Sequence, residues 1–334
     1  MTTAIASPLQ LPLENSDQAI RLRCPQCVNA AALVDDRDDA SLEDILRCQN
    51  CFRQITKTAG VWRMLTTEQQ TRFAPFIQDY EFIRRKEGRG SDDPSFYLAL
   101  PFADLTGNFT GQWRIRARSF RYLDRKLLPK LTSLLGPCLR ILDIGAGNGW
   151  LSYRLALSGH RPAAVDLCAN AFDGLEAAAP FATVLPEFFP RFQADMNRLP
   201  FEDAQFDVAI FNASLHYSTS YMETIRETVR CLRPGGLILI VDSPSYRHAA
   251  AGEAMRAERA RRFQSEFNAR GRTLPSREYL TPEDLEELST LGIRWTRHLP
   301  WLGLRWWLRP WIARFKRLRE PSQFYLFEGR LKTQ

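Results

Sequence analysis

From about residue 139 onward the chain alternates short apolar runs with stretches of helical spacing. Leu139, Ile141, Leu142 and Ile144 form a nearly continuous apolar run, the pattern of a parallel strand covered on both faces. Leu151, Leu155 and Ala156 then repeat at helical spacing. Residues 163–166 predict a second strand, 192–195 a third and 206–212 a fourth. A helix follows, with Ile225, Val229 and Leu232 on one face. Arg233-Pro234-Gly235-Gly236 stops it, and residues 237–241 make a fifth strand that ends at Asp242. This order predicts an α/β fold: a parallel sheet with right-handed crossovers and helices on both faces.

The flanks read differently. Phe73, Phe76, Ile77, Tyr80 and Ile83 predict a helix over 68–86, which Pro75 is expected to break or restart near its beginning. Residues 88–94 are a loop, and 96–102 an apolar patch without an assigned element. Residues 112–135 read mostly as an amphipathic helix, with Trp113, Ile115, Phe120, Leu123 and Leu127 among arginines. Residues 246–272 read as a basic helix. Thr281-Pro282-Glu283-Asp284 starts another, with Thr as cap and the acids against the dipole. Residues 293–299 and 323–329 are the last two expected strands. The implied organisation is a disordered tail (1–20), a small module (21–65), a helical cap (66–135) and a main α/β domain (136–334).

Composition adds limits. The chain has 334 residues, enough for one large domain and a small one. It has no apolar run near the ~20 residues of a membrane span. Residues 1–18 lack a basic segment followed by a long apolar core, so the expected location is cytoplasmic. The net charge of +7 is a mild bias toward acidic partners, and it is uneven. Pro300–Arg319 interleaves Trp301, Trp306, Trp307 and Trp311 with six basic residues. That pattern fits a membrane interface, nucleic acid or another subunit, or tryptophans packed on the sheet with arginines in water. Among the functional options an anionic or lipid-linked surface is favoured, which would make the protein membrane-peripheral; oligomeric state is not legible.

Of seven cysteines, Cys24-Pro-Gln-Cys27 and Cys48-Gln-Asn-Cys51 form two pairs separated by twenty residues. In an intracellular chain this spacing reads as a structural zinc site, two tight knuckles giving four thiolates. The alternatives are two disulfides, which need an oxidising compartment, or a redox pair, which would not come in duplicate. Asp35, Asp36, Asp38, Asp39, Glu43 and Asp44 make an acidic loop between the knuckles, unsuited to gripping nucleic acid. Cys138, Cys168 and Cys231 read as small buried hydrophobes.

The chemistry concentrates after the first strand, in Asp143-Ile-Gly145-Ala146-Gly147-Asn148-Gly149-Trp150. Glycines at spacing two let the backbone turn tightly and a ligand come close, at the carboxyl edge of the sheet. A dinucleotide fingerprint would need glycine at 150. The acid beside the loop suits an amine and a sulfonium better than a pyrophosphate. In a nucleoside site, Asp166 would accept from both ribose hydroxyls. The stretch resembles motif I of the class I S-adenosylmethionine (SAM)-dependent methyltransferases, of the type 11-like group, and the likeness covers about residues 113–245. It implies a seven-stranded Rossmann-like sheet whose last two strands pair antiparallel. It also implies a cofactor site of Asp143, Gly145, Ala146, Gly147, Asn148, Gly149, Asp166, Leu167, Asp195, Met196 and Asn212. There Asp195 takes the adenine amino group and Met196 packs near the ring. The second knuckle runs into Gly60-Val61-Trp62, and the module resembles the small zinc-ribbon activators of methyltransferases, here fused in cis to cover apolar surface.

Methyl transfer to SAM's acceptor expels a neutral thioether, so alignment matters more than acid catalysis. His216 is the best-placed candidate base and Tyr217 the second; Tyr97, Trp113 and Arg116 are candidate pocket residues, with ordinary packing as the alternative for each. The fourth strand has neither an Asn-Pro-Pro-Tyr-type tetrad nor a Pro-Cys nucleophile, which weakens a nucleic-acid substrate. Three readings follow: an enzyme methylating O or N of a small or lipid-linked metabolite; an RNA methyltransferase resembling rRNA guanine-N1 enzymes, whose last metal ligand is a histidine where Cys51 stands here; and a SAM-binding regulator without catalysis.

Overall fold

The computed structural model describes residues 20–27, 44–268 and 274–331, with the backbone of 33–35. The expected tail, most of the acidic loop and the end of the basic helix lie outside the described residues. The strands are β1 (Leu33–Asp35), β2 (Ile45–Cys48), β3 (Gln54–Thr58), β4 (Val61–Arg63), β5 (Arg140–Ile144), β6 (Arg161–Asp166), β7 (Arg191–Gln193), β8 (Phe206–Asn212), β9 (Leu232–Ser245), β10 (Ile293–His298) and β11 (Gln323–Leu331). The helices are α1 (Thr67–Lys86), α2 (Pro94–Ala99), α3 (Thr110–Tyr122), α4 (Leu128–Leu135), α5 (Trp150–Leu157), α6 (Tyr221–Cys231), α7 (Ala249–Phe267), α8 (Pro282–Ser289) and α9 (Leu304–Phe315).

Among the described residues the sheet has eleven strands, not the expected seven, in the order β1-β2-β3-β4-β7-β6-β5-β8-β9-β11-β10. Strands β7, β6, β5, β8 and β9 are parallel; β11 enters antiparallel between β9 and β10. The count rises because the N-terminal module does not stand apart. Its β4 pairs in parallel with β7, Trp62 opposite Phe192. Without it, short β7 would be an open edge, with unpaired backbone groups. A second strap runs beside it: the Arg23 N–H donates to Pro200 O (3.0 Å) and the Glu202 N–H to Arg21 O (3.1 Å).

The side chains of the central strands alternate between two buried layers. Leu142, Ile144 and Phe211 face one, together with Trp62, Met64, Ile225 and Leu288. Ile141, Val208 and Ile210 face the other, with Phe120, Leu127, Leu131 and Leu151. This is why the strands lack polar alternation.

Several element boundaries differ from expectation, for local reasons. Pro75 does not break α1; it and Thr71, whose carbonyl it leaves without a helical partner, are both exposed, so water serves that group. The 112–135 helix is α3, a π turn over Leu123–Leu127, and α4. Pro129 has no N–H for the Arg125 carbonyl, and the ladder widens just before it. The 96–102 patch holds α2, capped by the Asp93 carboxylate accepting from the Ser95 N–H (2.9 Å). Helix α6 ends at Cys231, so Leu232 begins β9, which runs past Asp242 to Ser245. Cys168 and Cys231 are buried, but Cys138 is exposed.

Candidate active site

The carboxyl ends of β5, β6, β7 and β8 open into a cleft roofed by Phe73, Phe76, Tyr80 and Arg84 of α1. Helix α1 starts on a reciprocal cap: the Gln69 N–H donates to Thr66 Oγ1 (3.1 Å) and the Thr66 N–H to Gln69 Oε1 (3.0 Å). Gly145, Ala146, Gly147, Asn148, Asp166, Leu167, Asp195, Met196 and Asn212 all line the cleft.

The glycine turn is fastened to β6. The Gly145 and Ala146 N–H groups donate to Val165 O (2.8 and 3.0 Å). Asp166 accepts from the Gly147 N–H on one oxygen and from the Cys168 N–H on the other, each at 2.8 Å. Gly145 has φ +76°, and a Cβ there would come within 2.3 Å of the Ser214 side chain, so the position takes no side chain. Asp195 accepts from the Asn197 N–H (2.9 Å), and Gln69 Nε2 lies 3.5 Å from its other oxygen.

Two expected members stand elsewhere. Asp143 is fully buried behind the turn and does not line the cleft. Ser152 Oγ donates to one of its oxygens (2.8 Å), and the other has no partner. Gly149 caps α5 at φ +74° with its back to Ala178 and Phe189. The three acids therefore do not converge on one surface; Asp166 and Asp195 do.

A second chamber adjoins the first. Phe76, Tyr80, Arg84, Arg116, Ala213, Tyr217 and Leu274 belong to the walls of both. His216 faces only the second, its Nδ1 3.3 Å from Ser243 Oγ. Burial, reinforced by Arg259 and Arg116, pulls its ring down to about 3, so it is neutral and a weak base. Of the three other pocket candidates, Arg116 lines both chambers. Tyr97 instead donates to Phe172 O (2.6 Å), and Trp113 packs edge-on against Trp150. Unforeseen wall residues are Arg84, ion-paired with Asp173, and Cys168, whose thiol burial pushes well up. The spacing of Phe73, Phe76 and Tyr80 marked the apolar face of α1, and Arg84 continues that face by one turn.

In the N-terminal module, the Sγ atoms of Cys24, Cys27, Cys48 and Cys51 lie within 4.8 Å of one another. The Cys24–Cys51 and Cys27–Cys48 separations are 3.7 and 3.9 Å. Four thiolates at ~2.3 Å from a tetrahedral zinc stand roughly 3.8 Å apart, so the donors fit that ion.

Residues 142–240 match the family described as methyltransferase domain. The chain is 34% identical over 104 residues to malonyl-[acyl-carrier protein] O-methyltransferase of Erwinia pyrifoliae, covering 31% of this chain and 37% of that one. It is 30% identical over 164 residues to 27-O-demethylrifamycin SV methyltransferase of Amycolatopsis mediterranei, covering 45% and 60%. With demethylmenaquinone methyltransferase of Mycolicibacterium gilvum the identity is 31%, over 32% and 43%. The chain thus spans about two fifths to three fifths of the length of these curated relatives. Among solved structures, Burkholderia thailandensis 1,6-didemethyltoxoflavin-N1-methyltransferase with bound S-adenosylhomocysteine is 17% identical, at TM-score 0.45 over 90% of this chain and 100% of that one.

Burial pushes Asp143 up to about 7 and Asp166 up to about 6 in the unliganded protein. The folded state therefore holds protons that the unfolded chain releases near pH 4, and stability falls as pH rises from about 4 to 7. Asp143→Asn should narrow that fall by ~1 kcal/mol or more, read as the difference in urea stability between pH 5 and pH 8. An unchanged pH profile would remove the buried carboxyl from this account.

Proposed function

We propose that the protein is a SAM-dependent methyltransferase acting on an O or N atom of a small-molecule or lipid-linked acceptor. The observation that carries this reading is that Asp166 and Asp195, closing successive strands, share one cleft wall with the Gly145–Asn148 backbone. The relatives named above act, by their names, on a carrier-linked malonyl group, a rifamycin and a demethylmenaquinone, which supports a small or carrier-linked acceptor. When bound, SAM supplies an activated methyl on a sulfonium.

This chain's residues hold and align. Asp166 keeps lone pairs free beyond its two backbone bonds, and these would take the ribose hydroxyls. Asp195 would accept from the adenine amino group, beside Met196. Asn212 lines the cofactor cleft, and Tyr217 stands where the two chambers meet. His216 orients the acceptor rather than taking its proton, since its ring is too weak a base at neutral pH. An acceptor that attacks as its anion or as a free amine lone pair needs no base there.

The four-cysteine cluster is read as a structural Zn²⁺ site. With every position filled by protein, the ion would fix the module that covers the β7 edge and would activate no water.

The face around α9 is read as a membrane contact. Trp301, Leu304, Trp307, Trp311 and Phe315 are exposed, Phe315 by 90%. Residues 299–319 contain six basic side chains and no acid. Aromatic and basic side chains without acids match an anionic bilayer surface, and among the described residues no helix is long and apolar enough to cross one.

Each part has its own measurement. By calorimetry, Asp166→Ala should weaken SAM binding about tenfold (~1.4 kcal/mol); equal affinity would count against the cofactor site. Purified protein should carry close to one zinc per chain, and less than about half an equivalent would reject the four-thiolate reading. Phosphatidylglycerol vesicles should sediment the protein, with a Trp307→Ser/Trp311→Ser/Phe315→Ser variant losing tenfold or more in partition. No sedimentation, or self-association through the same residues, would sink the membrane contact.

A further inference from the structure

The second chamber is lined by six arginines, Arg84, Arg89, Arg116, Arg259, Arg262 and Arg309, against three carboxylates, Glu87, Asp242 and Glu278. Most of these cations are already matched. Arg84 pairs with Asp173, and Arg89 with Glu87 at 2.5 Å. Arg262 reaches Glu87 (3.2 Å) and Glu266 (2.9 Å), and Arg259 reaches Glu278 (3.2 Å).

Two are left over. Arg116 has no carboxylate within 4 Å among the described residues; its guanidinium lies 4.7 Å over the Trp113 ring, at the junction of the two chambers. Asp242 attracts it from a distance, but one oxygen of that carboxyl already accepts from Ser119 Oγ (2.6 Å), and burial pushes the group toward its neutral form. Among the described residues Arg309 donates only to Ser322 O (3.4 Å), and it stacks 3.9 Å over Trp306, which in turn stacks on Phe324. A half-buried guanidinium with no partner is costly unless something anionic completes it.

The backbone beside these groups is also held in an uncommon conformation. Ala213 (φ +56°), just after β8, and Asp242 (φ +52°), near the end of β9, take left-handed values, both on the chamber wall. Strain of this kind clusters where ligands are held.

We propose that the methyl acceptor carries a phosphate or carboxylate group that pairs with Arg116, with Arg309 flanking it and its apolar body against Trp306, Phe324 and Phe263. This inference rests on the methyltransferase reading, and it leaves open whether the anion itself or a neighbouring atom is methylated. Of the six arginines, Arg84 and Arg116 also line the cofactor cleft, whereas Arg309 shares α9 with Trp306.

The test uses the full-length protein saturated with S-adenosylhomocysteine, so that the carboxylate of that ligand has already taken any partner it needs. Pyrophosphate and succinate are then titrated calorimetrically, at low ionic strength, as probes of the two anion types. At least one should bind wild type, and its affinity should fall tenfold or more in Arg116→Gln. Arg309→Gln lies outside the cofactor cleft and should weaken the same probe at least threefold, which keeps the test alive if the first variant does not fold. Binding of pyrophosphate alone assigns a phosphate acceptor, and of succinate alone a carboxylate. Failure of both probes to bind, or affinity unchanged in the folded variants, overturns the inference. Failure of S-adenosylhomocysteine to bind wild type overturns the methyltransferase reading instead, and the two results are read in separate titrations.

Discussion

The clasp between Asp166 and the backbone on either side of it organises the site. One carboxylate oxygen holds the turn after β5 through Gly147, and the other holds the chain after β6 through Cys168. The two strands already run in register, Leu142 beside Ala163 and Ile144 beside Val165. The clasp carries that register into the loops, where no sheet ladder would otherwise reach. Burial opposes it by favouring the neutral acid, and the two N–H groups offset part of that cost. The result is a carboxylate poised between charge states at the mouth of an otherwise apolar fold.

A second constraint comes from the other side of the sheet. The short strand β7 has only three residues and could not hold its place as an edge. Strand β4 lies along it, and Met64 continues the pairing by donating to Gln193 O (2.9 Å). Because α1 begins immediately after this strand, the register of the module sets where the helix lies over the cleft. The first knuckle also touches the segment beyond β7 directly, Gln26 O accepting from the Arg198 guanidinium (3.3 Å).

The central strands were legible because a doubly covered sheet needs continuous apolar runs, and β8 agrees with its expected bounds residue for residue. Asp166 and Asp195 were legible for the same reason: each ends such a run. Asp143 also ends one, yet it sits a residue before the turn, and the alternation of the strand sends its side chain inward to Ser152. Spacing alone does not distinguish an acid on the wall from one beneath it. The eleven-strand sheet was not legible either, since pairing between β4 and β7 joins segments about 130 residues apart and leaves no local periodicity. Helix α1 was found, but not its role as a roof, because an amphipathic pattern reports that one face is buried and not what covers it.

Helix α9 places consecutive tryptophans on different duties. Trp306 is half-buried on Phe324 at the chamber wall, whereas Trp307, next in the chain, is exposed with Trp311 on the outer side. One rigid rod therefore forms both the inner lining and the outer skin. A tilt of the rod would move Trp306 on the chamber wall together with Trp307 and Trp311 outside. Access to the chamber and the state of the protein's exterior are, mechanically, a single variable.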